Sequence, residues 1–281
     1  MEPNSQEVER IIKASLAEDI GSGDVTAQLL IPETATARLV FVNREPMVMC
    51  GGFAVPKVFA LVDSTVQTVV NVAEGRHVPA RTQLIEVSGN ARSILTAERV
   101  ALNLLQRMSS VATTAARYVE AVRGTKAIIL DTRKTMPGLR ELDKYAVRTG
   151  GVQNHRMRLD DAILIKDNHI AVCGSVAVAL QRATEGNSKK LLIEVECDTI
   201  QQVEEALAAG AKRIMLDNMD EKTMRKAVQL AGGNAALEAS GNVRLENVRA
   251  VAETGVDFIS VGRLTSSVVN VDIGLDIAVK I

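Results

Sequence analysis

Over residues 126–266, short apolar runs alternate with longer segments of helical periodicity. The apolar runs lie at 127–130, 162–165, 191–193, 214–216, 235–237 and 258–261. Strands that alternate with helices in this way are typical of a parallel α/β sheet, whose strands are apolar because helices cover both faces. A complete α/β barrel needs about 250 residues. The pattern therefore indicates either an incomplete barrel or an open doubly wound sheet.

The first part of the chain has other periodicities. Asn4 and Glu7 have the spacing of a helix-capping box ahead of an amphipathic segment. Residues 36–95 contain short β-rich stretches separated by turn-like sequences. From Thr96, apolar residues recur every three or four positions until Gly124. We expect a mostly β first domain that a long helix joins to the second domain.

Composition argues against several classes of protein. Lys and Arg number 33 against 34 Asp and Glu, which is unlike a general nucleic-acid binder. Aromatic residues make up only 2%, too few for platforms that stack single-stranded bases. No apolar run approaches the ~20 residues of a membrane-spanning helix, and the polar, acidic start is unlike a leader peptide. Three widely spaced cysteines suit neither a disulfide framework nor a metal site, so we expect a cytoplasmic protein.

Polar residues directly follow every apolar run of the second domain. They stand at 131–134, 166–169, 194–196, 217–218, 238–242 and 262–263. In parallel α/β folds the carboxyl ends of the strands converge on the binding site, in barrels and in open sheets alike. The recurrence of chemically useful side chains at this one topological place predicts an enzyme.

The types of charge at these strand ends differ along the chain. The first two units are strongly basic, and their cations are Arg133, Lys134, Arg140, His155, Arg156, Arg158 and Lys166. Such a cluster suits an anion with several negative groups, since Arg binds carboxylates and phosphates through two parallel hydrogen bonds. The next two ends are acidic and suit sugar hydroxyls or Mg²⁺, and the last two are small and suit a phosphate. Together they predict a polyanionic acceptor, a phosphorylated sugar and a metal ion.

Each feature also has a simpler interpretation. An isolated pair such as Arg133 and Lys134 is commonly a solvated loop, and a lone histidine is commonly structural. Lys166 at a strand end is compatible with a Schiff-base lysine, which would make the protein a phosphate-binding barrel lyase or isomerase. A non-catalytic regulator that binds a phosphorylated metabolite is the alternative from a different class.

Two long strings, DTRKTMPGLRELDKYAVRTGG at 131–151 and NHRMRLDDAILIKDNH at 154–169, closely resemble the quinolinate phosphoribosyltransferases, or carboxylating nicotinate-nucleotide pyrophosphorylases. Further matching strings occur in the same order along the chain: EDIGSGDVTA, SILTAERVALNLLQRMS, EVEC, MLDN, EASGN and SVGRLT. The resemblance therefore spans nearly the whole chain. A related phosphoribosyltransferase with another acceptor, such as the paralogue associated with molybdenum transport, remains the nearest alternative.

The resemblance implies transfer of ribose 5-phosphate from phosphoribosyl pyrophosphate to quinolinate, assisted by Mg²⁺. The ring carboxyl beside the nitrogen is lost as CO₂, which yields nicotinate mononucleotide and pyrophosphate for NAD biosynthesis. The implied fold is an N-terminal α/β sandwich-like domain, residues 1–109 joined by 270–281, followed by an incomplete TIM-like parallel α/β barrel, residues 110–269. The implied assembly is a homodimer or a higher even oligomer with shared active sites.

The resemblance also assigns roles to individual positions. Lys134, Lys166, Glu196 and Asp217 are implied to act in catalysis, the two acids lying near the ribose and Mg²⁺ and holding the metal directly or through water or donor hydroxyls. The residues implied to bind substrates are Arg99 (delivered from the neighbouring subunit), Arg133, Lys134, His155, Arg156, Lys166, Glu196, Asp217, Ser240, Gly241, Asn242 and Gly262. The chain departs from the family pattern at Asn242 and Val152, where Gly is frequent, and neither departure removes a charge.

Overall fold

The computed structural model describes residues 3–277. Its helices are α1 (Ser5–Ile20), α2 (Val25–Leu30), α3 (Ala54–Val62), α4 (Ala91–Ala121), α5 (Arg140–Thr149), α6 (Asp167–Cys173), α7 (Val176–Gly186), α8 (Ile200–Ala208), α9 (Glu221–Ala231), α10 (Val248–Ala252) and α11 (Arg263–Ser266). Its strands are β1 (Thr36–Asn43), β2 (Met47–Val48), β3 (Gln67–Val70), β4 (His77–Val78), β5 (Gln83–Asn90), β6 (Ile128–Leu130), β7 (Ile163–Ile165), β8 (Ile193–Cys197), β9 (Arg213–Asp217), β10 (Ala236–Ser240), β11 (Phe258–Ser260) and β12 (Ile273–Ile277).

The chain forms two compact units that do not follow sequence order. The described residues of the first unit are 3–116, 135–151 and 267–277, and the second unit comprises 117–134 and 152–266. The predicted boundary between residues 109 and 110 falls inside α4, which continues without interruption. Residues 135–151 group with the first unit because the buried Asp143 of α5 pairs with Arg107 of α4 at 2.9 Å.

The first unit is built on an antiparallel sheet with the strand order β12-β1-β5-β3. Phe41 of β1 and Phe59 of α3 are fully buried, with their ring centroids 6.2 Å apart in an edge-to-face contact. The return of the C-terminal segment to this unit was an expectation from the resemblance, and β12 indeed pairs with β1 from Leu39 opposite Ile277 to Asn43 opposite Ile273. The rest of that predicted segment, 278–281, lies outside the described residues.

The helices of the first unit begin and pack as their sequences indicate. The side chain of Asn4 caps α1 by accepting hydrogen bonds from the backbone of Gln6 and Glu7. The other half of the predicted capping box does not form, because the N–H of Asn4 donates to Oε1 of Glu141 at 2.8 Å and Glu7 pairs with Arg10. Along α4, residues spaced by three or four, such as Leu105, Met108 and Ala112, are fully buried. Small residues on this helix allow close packing by α5. A Cβ added at Gly150 would lie 2.5 Å from the Cβ of Ala115.

The second unit contains a parallel sheet with the strand order β6-β11-β10-β9-β8-β7. The first strand of this unit thus lies beside the last, and the order never reverses as it does in a doubly wound sheet. Among the described residues no ladder joins β6 to β7, and a single bridge from Leu130 to Gln153 stands on that side of β6. This is the arrangement of an incomplete barrel, and the predicted fold class is confirmed.

The sequence predicts where the helices between these strands begin and end, with a capping box at Thr199 and Gln202 and a helix from Asp220 to the Gly232-Gly233 pair. Thr199 and Gln202 form the capping box of α8, while Asp220 caps α9 and Gly232 ends it in a left-handed conformation. The sequence over 245–254, which ends before Gly255, predicts a longer helix than the structure has, since α10 covers only Val248–Ala252. Between residues 3 and 277, no helix is both long and apolar enough to cross a membrane.

Candidate active site

The middle strands of the second unit carry polar side chains inside the strands. Side chains alternate between the two faces of a strand, and Glu194 and Glu196 of β8 therefore share one face while Val195 and Cys197 occupy the other. Glu196 pairs in register with Met215 of β9. The expectation that these acids follow the strands is wrong. Strand β8 extends four residues beyond its apolar run, β10 extends three residues beyond, and β9 extends one residue on each side.

At the carboxyl ends of these strands lies a cavity of about 500 Å³. Its lining consists of Thr132, Arg133, Lys134, His155, Arg156, Leu164, Lys166, Glu196, Met215, Asp217, Asn218, Glu238, Ser240, Gly241, Asn242 and Ser260. All of these residues belong to the second unit. The structure therefore brings together ten of the twelve residues that were predicted to bind substrates.

The two remaining predicted residues lie elsewhere. Arg99 is on α4 in the first unit, with an exposed side chain. Gly262 follows β11 and lies beside Lys134, which lines the cavity. A Cβ at this glycine would lie 2.9 Å from Cδ of Lys134, so the absence of a side chain leaves room for the lysine stem.

The cations on one side of the cavity are crowded. Burial and the neighbouring Arg133 guanidinium lower the pKa of Arg156, and Nη1 of Arg156 donates to the carbonyl oxygen of Ala162 at 2.9 Å. Like charges brought this close repel one another unless an anion binds between them. This side of the cavity is therefore suited to a ligand with more than one negative group.

The cationic and acidic sides of the cavity also touch. Nζ of Lys166 donates to Oε2 of Glu196 at 2.8 Å. The carboxylate is buried and the lysine is about half exposed. The sequence predicts basic residues and acidic residues on different strand ends. In the structure this ion pair joins the two groups.

Three carboxylates, two of which line the cavity, form a second feature of the site. Oxygen atoms of Glu196, Asp198 and Asp217 all lie within 4.8 Å of one another. Oxygen ligands in this number are what Mg²⁺ selects, with water completing its shell. Asp198 was not among the predicted residues, although its place two positions after Glu196 on the same strand end was a signal for it.

Beneath the cavity is a buried cluster of charged groups. Glu194 accepts a hydrogen bond from Arg213 at 3.0 Å, and Glu238 accepts one from the same guanidinium at 2.6 Å. The guanidinium also lies over the ring of Phe258, 4.0 Å from its centroid. Nε2 of His155 is 2.9 Å from Oε2 of Glu194.

The pKa values of the two carboxyl groups in this cluster shift in opposite directions. Burial and the neighbouring Glu194 raise the pKa of Glu238 to about 7. Burial alone would also raise the pKa of Glu194, but the hydrogen bond from His155 and the Arg213 guanidinium lower it below its ordinary value. Glu194 is thus the ionised acceptor. Sequence reasoning missed Arg213, although the alternating pattern of RIMLD places it on the same face as Asp217.

A tight turn closes the far end of the cavity. Asn218 and Asn242 both have φ of +53°, and Nδ2 of Asn242 donates to Oδ1 of Asn218 at 3.1 Å. Gly241 between them has φ of +89°, and a Cβ there would lie 2.9 Å from the backbone nitrogen of Asn218. Asn242 holds the left-handed conformation where the family pattern has Gly, as asparagine does more readily than most residues. Turns of this kind direct backbone N–H groups toward an anion.

Comparison with known protein families accounts for nearly the whole chain. Residues 111–276 match the quinolinate phosphoribosyl transferase C-terminal domain, and residues 24–109 match the N-terminal domain of the same family.

Individual relatives agree over their full lengths. The chain is 44% identical over 274 residues to the nicotinate-nucleotide pyrophosphorylase [carboxylating] of Mycobacterium leprae, covering 95% of each chain. Two solved nicotinate-nucleotide pyrophosphorylases superpose closely on it. That from Ehrlichia chaffeensis has a TM-score of 0.93 and 41% identity over 99% of this chain and 100% of its own. That from Francisella tularensis has a TM-score of 0.92 and 40% identity over 98% of both chains. With both family domains and the strand-end cavity present in one chain, the protein belongs to the quinolinate phosphoribosyltransferase family.

Proposed function

We propose that this chain is a decarboxylating quinolinate phosphoribosyltransferase of NAD biosynthesis. It transfers the 5-phosphoribosyl group from phosphoribosyl pyrophosphate to quinolinate and releases nicotinate mononucleotide, pyrophosphate and CO₂. The observation that carries the proposal is the single cavity lined by cations on one side and by carboxylates and a left-handed turn on the other. Family membership supplies the identity of the two substrates.

The way in which the cavity binds the acceptor, quinolinate, follows from charge. Quinolinate carries two carboxylates on adjacent ring carbons, and Arg133, Lys134 and Arg156 supply the positive groups to bind them. Holding the acid by both carboxylates fixes the direction in which the ring nitrogen points. Alignment of that nitrogen with the sugar carbon is a major source of rate acceleration in a two-substrate reaction.

The acids and the turn bind the donor, phosphoribosyl pyrophosphate. The backbone around Ser240, Gly241 and Asn242 is suited to the 5-phosphate. As pyrophosphate leaves, positive charge develops on the ribose, and the carboxylates of Glu196 and Asp217 stabilise it electrostatically. The ring nitrogen then forms the new bond to the sugar carbon.

Loss of CO₂ completes the reaction. The bond between the ring and its carboxyl group breaks, the electron pair stays on the ring carbon, and a proton replaces the carboxyl group. Lys166 is suited to this step because its ammonium lies at the junction of the cationic and acidic sides. Electrostatic stabilisation of the electron-rich ring by a nearby cation lowers the barrier.

We propose Mg²⁺ as the metal, held by Glu196 and Asp217 with Asp198 beside them. The oxygen atoms of these three carboxylates converge within 4.8 Å. When bound, the ion orients the donor and offsets charge on the leaving pyrophosphate. Chelation with EDTA is expected to abolish turnover, and added Mg²⁺ is expected to restore it.

The assembly is also a proposal. We infer a homodimer, or a higher even oligomer, in which Arg99 of one subunit serves the cavity of another. The support is the exposed position of this arginine and its match to the family position. The cytoplasm is the proposed location, on the strength of the cysteine spacing alone.

A coupled assay tests the proposal directly. Quinolinate, phosphoribosyl pyrophosphate and Mg²⁺ should yield CO₂ and nicotinate mononucleotide in equal amounts, while nicotinate in place of quinolinate should yield no nucleotide. Turnover of nicotinate together with inert quinolinate would contradict the assignment of the acceptor.

The structure disfavours the Schiff-base alternative. An imine forms on a neutral amine, but the ammonium of Lys166 donates to the buried carboxylate of Glu196. Borohydride should therefore fail to trap a carbonyl substrate on this lysine.

A further inference from the structure

The His155 ring is held by protein atoms at both nitrogens. Nδ1 accepts a hydrogen bond from the backbone N–H of Arg156 at 2.9 Å, and Nε2 lies 2.9 Å from Oε2 of Glu194. A nitrogen that accepts from an N–H carries no proton of its own. The ring proton is therefore on Nε2, where it is donated to the carboxylate.

The backbone of the same segment is anchored separately. The N–H of His155 donates to Oδ1 of the buried Asp131 at 2.7 Å. Ring and backbone are thus fixed by two carboxylates, Glu194 on β8 and Asp131 directly after β6. The next residue along the chain, Arg156, contributes its side chain to the cavity.

We propose that Glu194 is a positioning residue: it fixes the His155 ring as the Nε2–H tautomer, which in turn orients the backbone of Arg156. The inference rests on the proposed function, because Arg156 is assigned to the quinolinate carboxylates. Arg213 makes the arrangement possible by donating to the other oxygen of the same carboxylate.

The two hydrogen bonds that Glu194 accepts give the proposal a specific consequence. Each carboxylate oxygen accepts from one donor, Oε1 from Arg213 and Oε2 from His155. A glutamine here offers one acceptor oxygen and one donor NH₂ group. Since arginine cannot give up its proton, the oxygen will face Arg213 and the NH₂ group will face the histidine.

The imidazole must then change tautomer. Nε2 will accept from the new NH₂ group, and the ring proton will move to Nδ1. Nδ1–H and the N–H of Arg156 will be two donors facing each other, so the backbone of Arg156 must shift. A shift of this kind misplaces a substrate-binding side chain without removing it.

Glu238 provides a matched comparison within the same cluster. Its Oε2 accepts from Arg213 at 2.6 Å, whereas its Oε1 has no hydrogen-bond partner among residues 3–277 and lies 3.7 Å from Nε2 of His155. Glu238→Gln can keep its acceptor toward Arg213 and turn its NH₂ group to the other side. This substitution removes one carboxyl group from the same cluster and leaves the hydrogen bond of His155 intact.

The first measurement is ¹⁵N NMR of the histidine side chains in the ligand-free protein. The chain has only three histidines, so a His155→Gln protein assigns the signal. The Nε2–H tautomer is expected in the wild type and in Glu238→Gln, and the Nδ1–H tautomer in Glu194→Gln. A doubly protonated ring or an Nδ1–H ring in the wild type would overturn the proposal, as would the same tautomer in all three proteins.

The second measurement is steady-state kinetics with both substrates. Glu194→Gln is expected to raise the KM for quinolinate by roughly ten- to a hundredfold, with a smaller rise in Glu238→Gln and little change in the KM for phosphoribosyl pyrophosphate. Glu253→Gln, at the exposed ion pair with Arg249, controls for the substitution itself. If Glu194→Gln and Glu238→Gln raised the KM for quinolinate equally, the cluster would act only through its charge. That result would refute the positioning role.

The two proposals fail in different ways. A wild-type protein that makes no nucleotide from quinolinate disproves the proposed function, while the NMR comparison still decides the tautomer. If Glu194→Gln does not fold, Arg213→Lys is the second variant. It keeps the positive charge but loses the two-pronged contact, and it should again change the histidine signal and the KM for quinolinate together. An unchanged signal and KM in that variant would overturn the proposal.

Discussion

At the scale of single residues, the cavity gathers several positive charges on one side. Lys134 is exposed, and the pKa of Arg156 is lowered by burial and by Arg133. Hydrogen bonds to charged groups contribute about 1.5–3 kcal/mol each. The cations therefore bear mainly on the affinity for the acid.

Lys134→Ala and Arg156→Ala are each expected to weaken quinolinate binding about ten- to a hundredfold, because each removes a charged hydrogen-bond donor. Binding of phosphoribosyl pyrophosphate should change much less. Isothermal titration calorimetry with each substrate separately measures the two affinities. Equal losses for both ligands would contradict the division of the cavity into an acceptor side and a donor side.

Glu238 is expected to make stability depend on pH. Its pKa rises from 4.5 to about 7 on folding, so between these values the folded state binds a proton that the unfolded state has lost. The stabilisation from this group is complete below about pH 4.5 and is lost as the pH rises to about 7. Glu238→Gln removes that loss, which amounts to at most about 3 kcal/mol.

Urea denaturation at pH 5 and pH 8 measures the effect. The free energy of unfolding of the wild type should fall between these values by more than that of Glu238→Gln. Titration of groups outside this cluster is common to both proteins and cancels in the comparison. An identical fall in the two proteins would show that this carboxyl group is ionised throughout.

At the scale of elements, strand ends and turns decide where the functional groups lie. The turn after β10 needs a residue without a Cβ, since Gly241 has φ of +89° and packs against the side chain and backbone of Asn218. Two further residues near it, Asn218 and Asn242, hold positive φ and are linked by their side chains. The turn is thus a small rigid unit.

Gly241→Ala is expected to raise the KM for phosphoribosyl pyrophosphate by roughly tenfold or more, because the added methyl group displaces Asn218 and the turn. Gly233→Ala is the matched control. Gly233 also has positive φ, +85°, but nothing lies within 4 Å of an added Cβ. Both variants carry backbone strain, so an equal change in KM in the control would attribute the effect to strain alone.

Elements were predicted more reliably than their limits. The capping residues of α1, α8 and α9 were identified from sequence, because a cap depends on residues three positions apart. The limits of β8, β9 and β10 were misjudged because their inward-facing residues are charged, as at Glu194, Arg213 and Glu238. In the local sequence, a charged residue inside a strand looks like a residue of a loop. Its burial becomes favourable only through charged partners that are distant in the sequence.

At the scale of the whole molecule, the arrangement of the active site between subunits is the open question. All lining residues of the cavity belong to the second unit, whereas Arg99 belongs to the first. The proposed shared site requires that this arginine serve the cavity of another subunit. A test with two inactive proteins addresses this directly.

Arg99→Ala and Lys166→Ala are each expected to be inactive alone and to recover activity when mixed. Random exchange makes half of the dimers mixed, and each mixed dimer has one intact site of two, so about a quarter of wild-type activity should return. Mass spectrometry of the intact assemblies verifies the exchange. Mixed dimers without activity would rule out the shared site.

The sequence by itself determined the class of the fold, the caps of α1, α8 and α9, and ten residues of the cavity. These features depend on local periodicity and on the rule that parallel strands end on one face. Tertiary structure alone decided that β6 lies beside β11 and that residues 135–151 group with the first unit. It also decided that Arg213 neutralises Glu194 beneath the cavity. The physical reason is that strand order and buried charge pairing depend on contacts between residues far apart in the chain, such as His155 and Glu194, which no local pattern records.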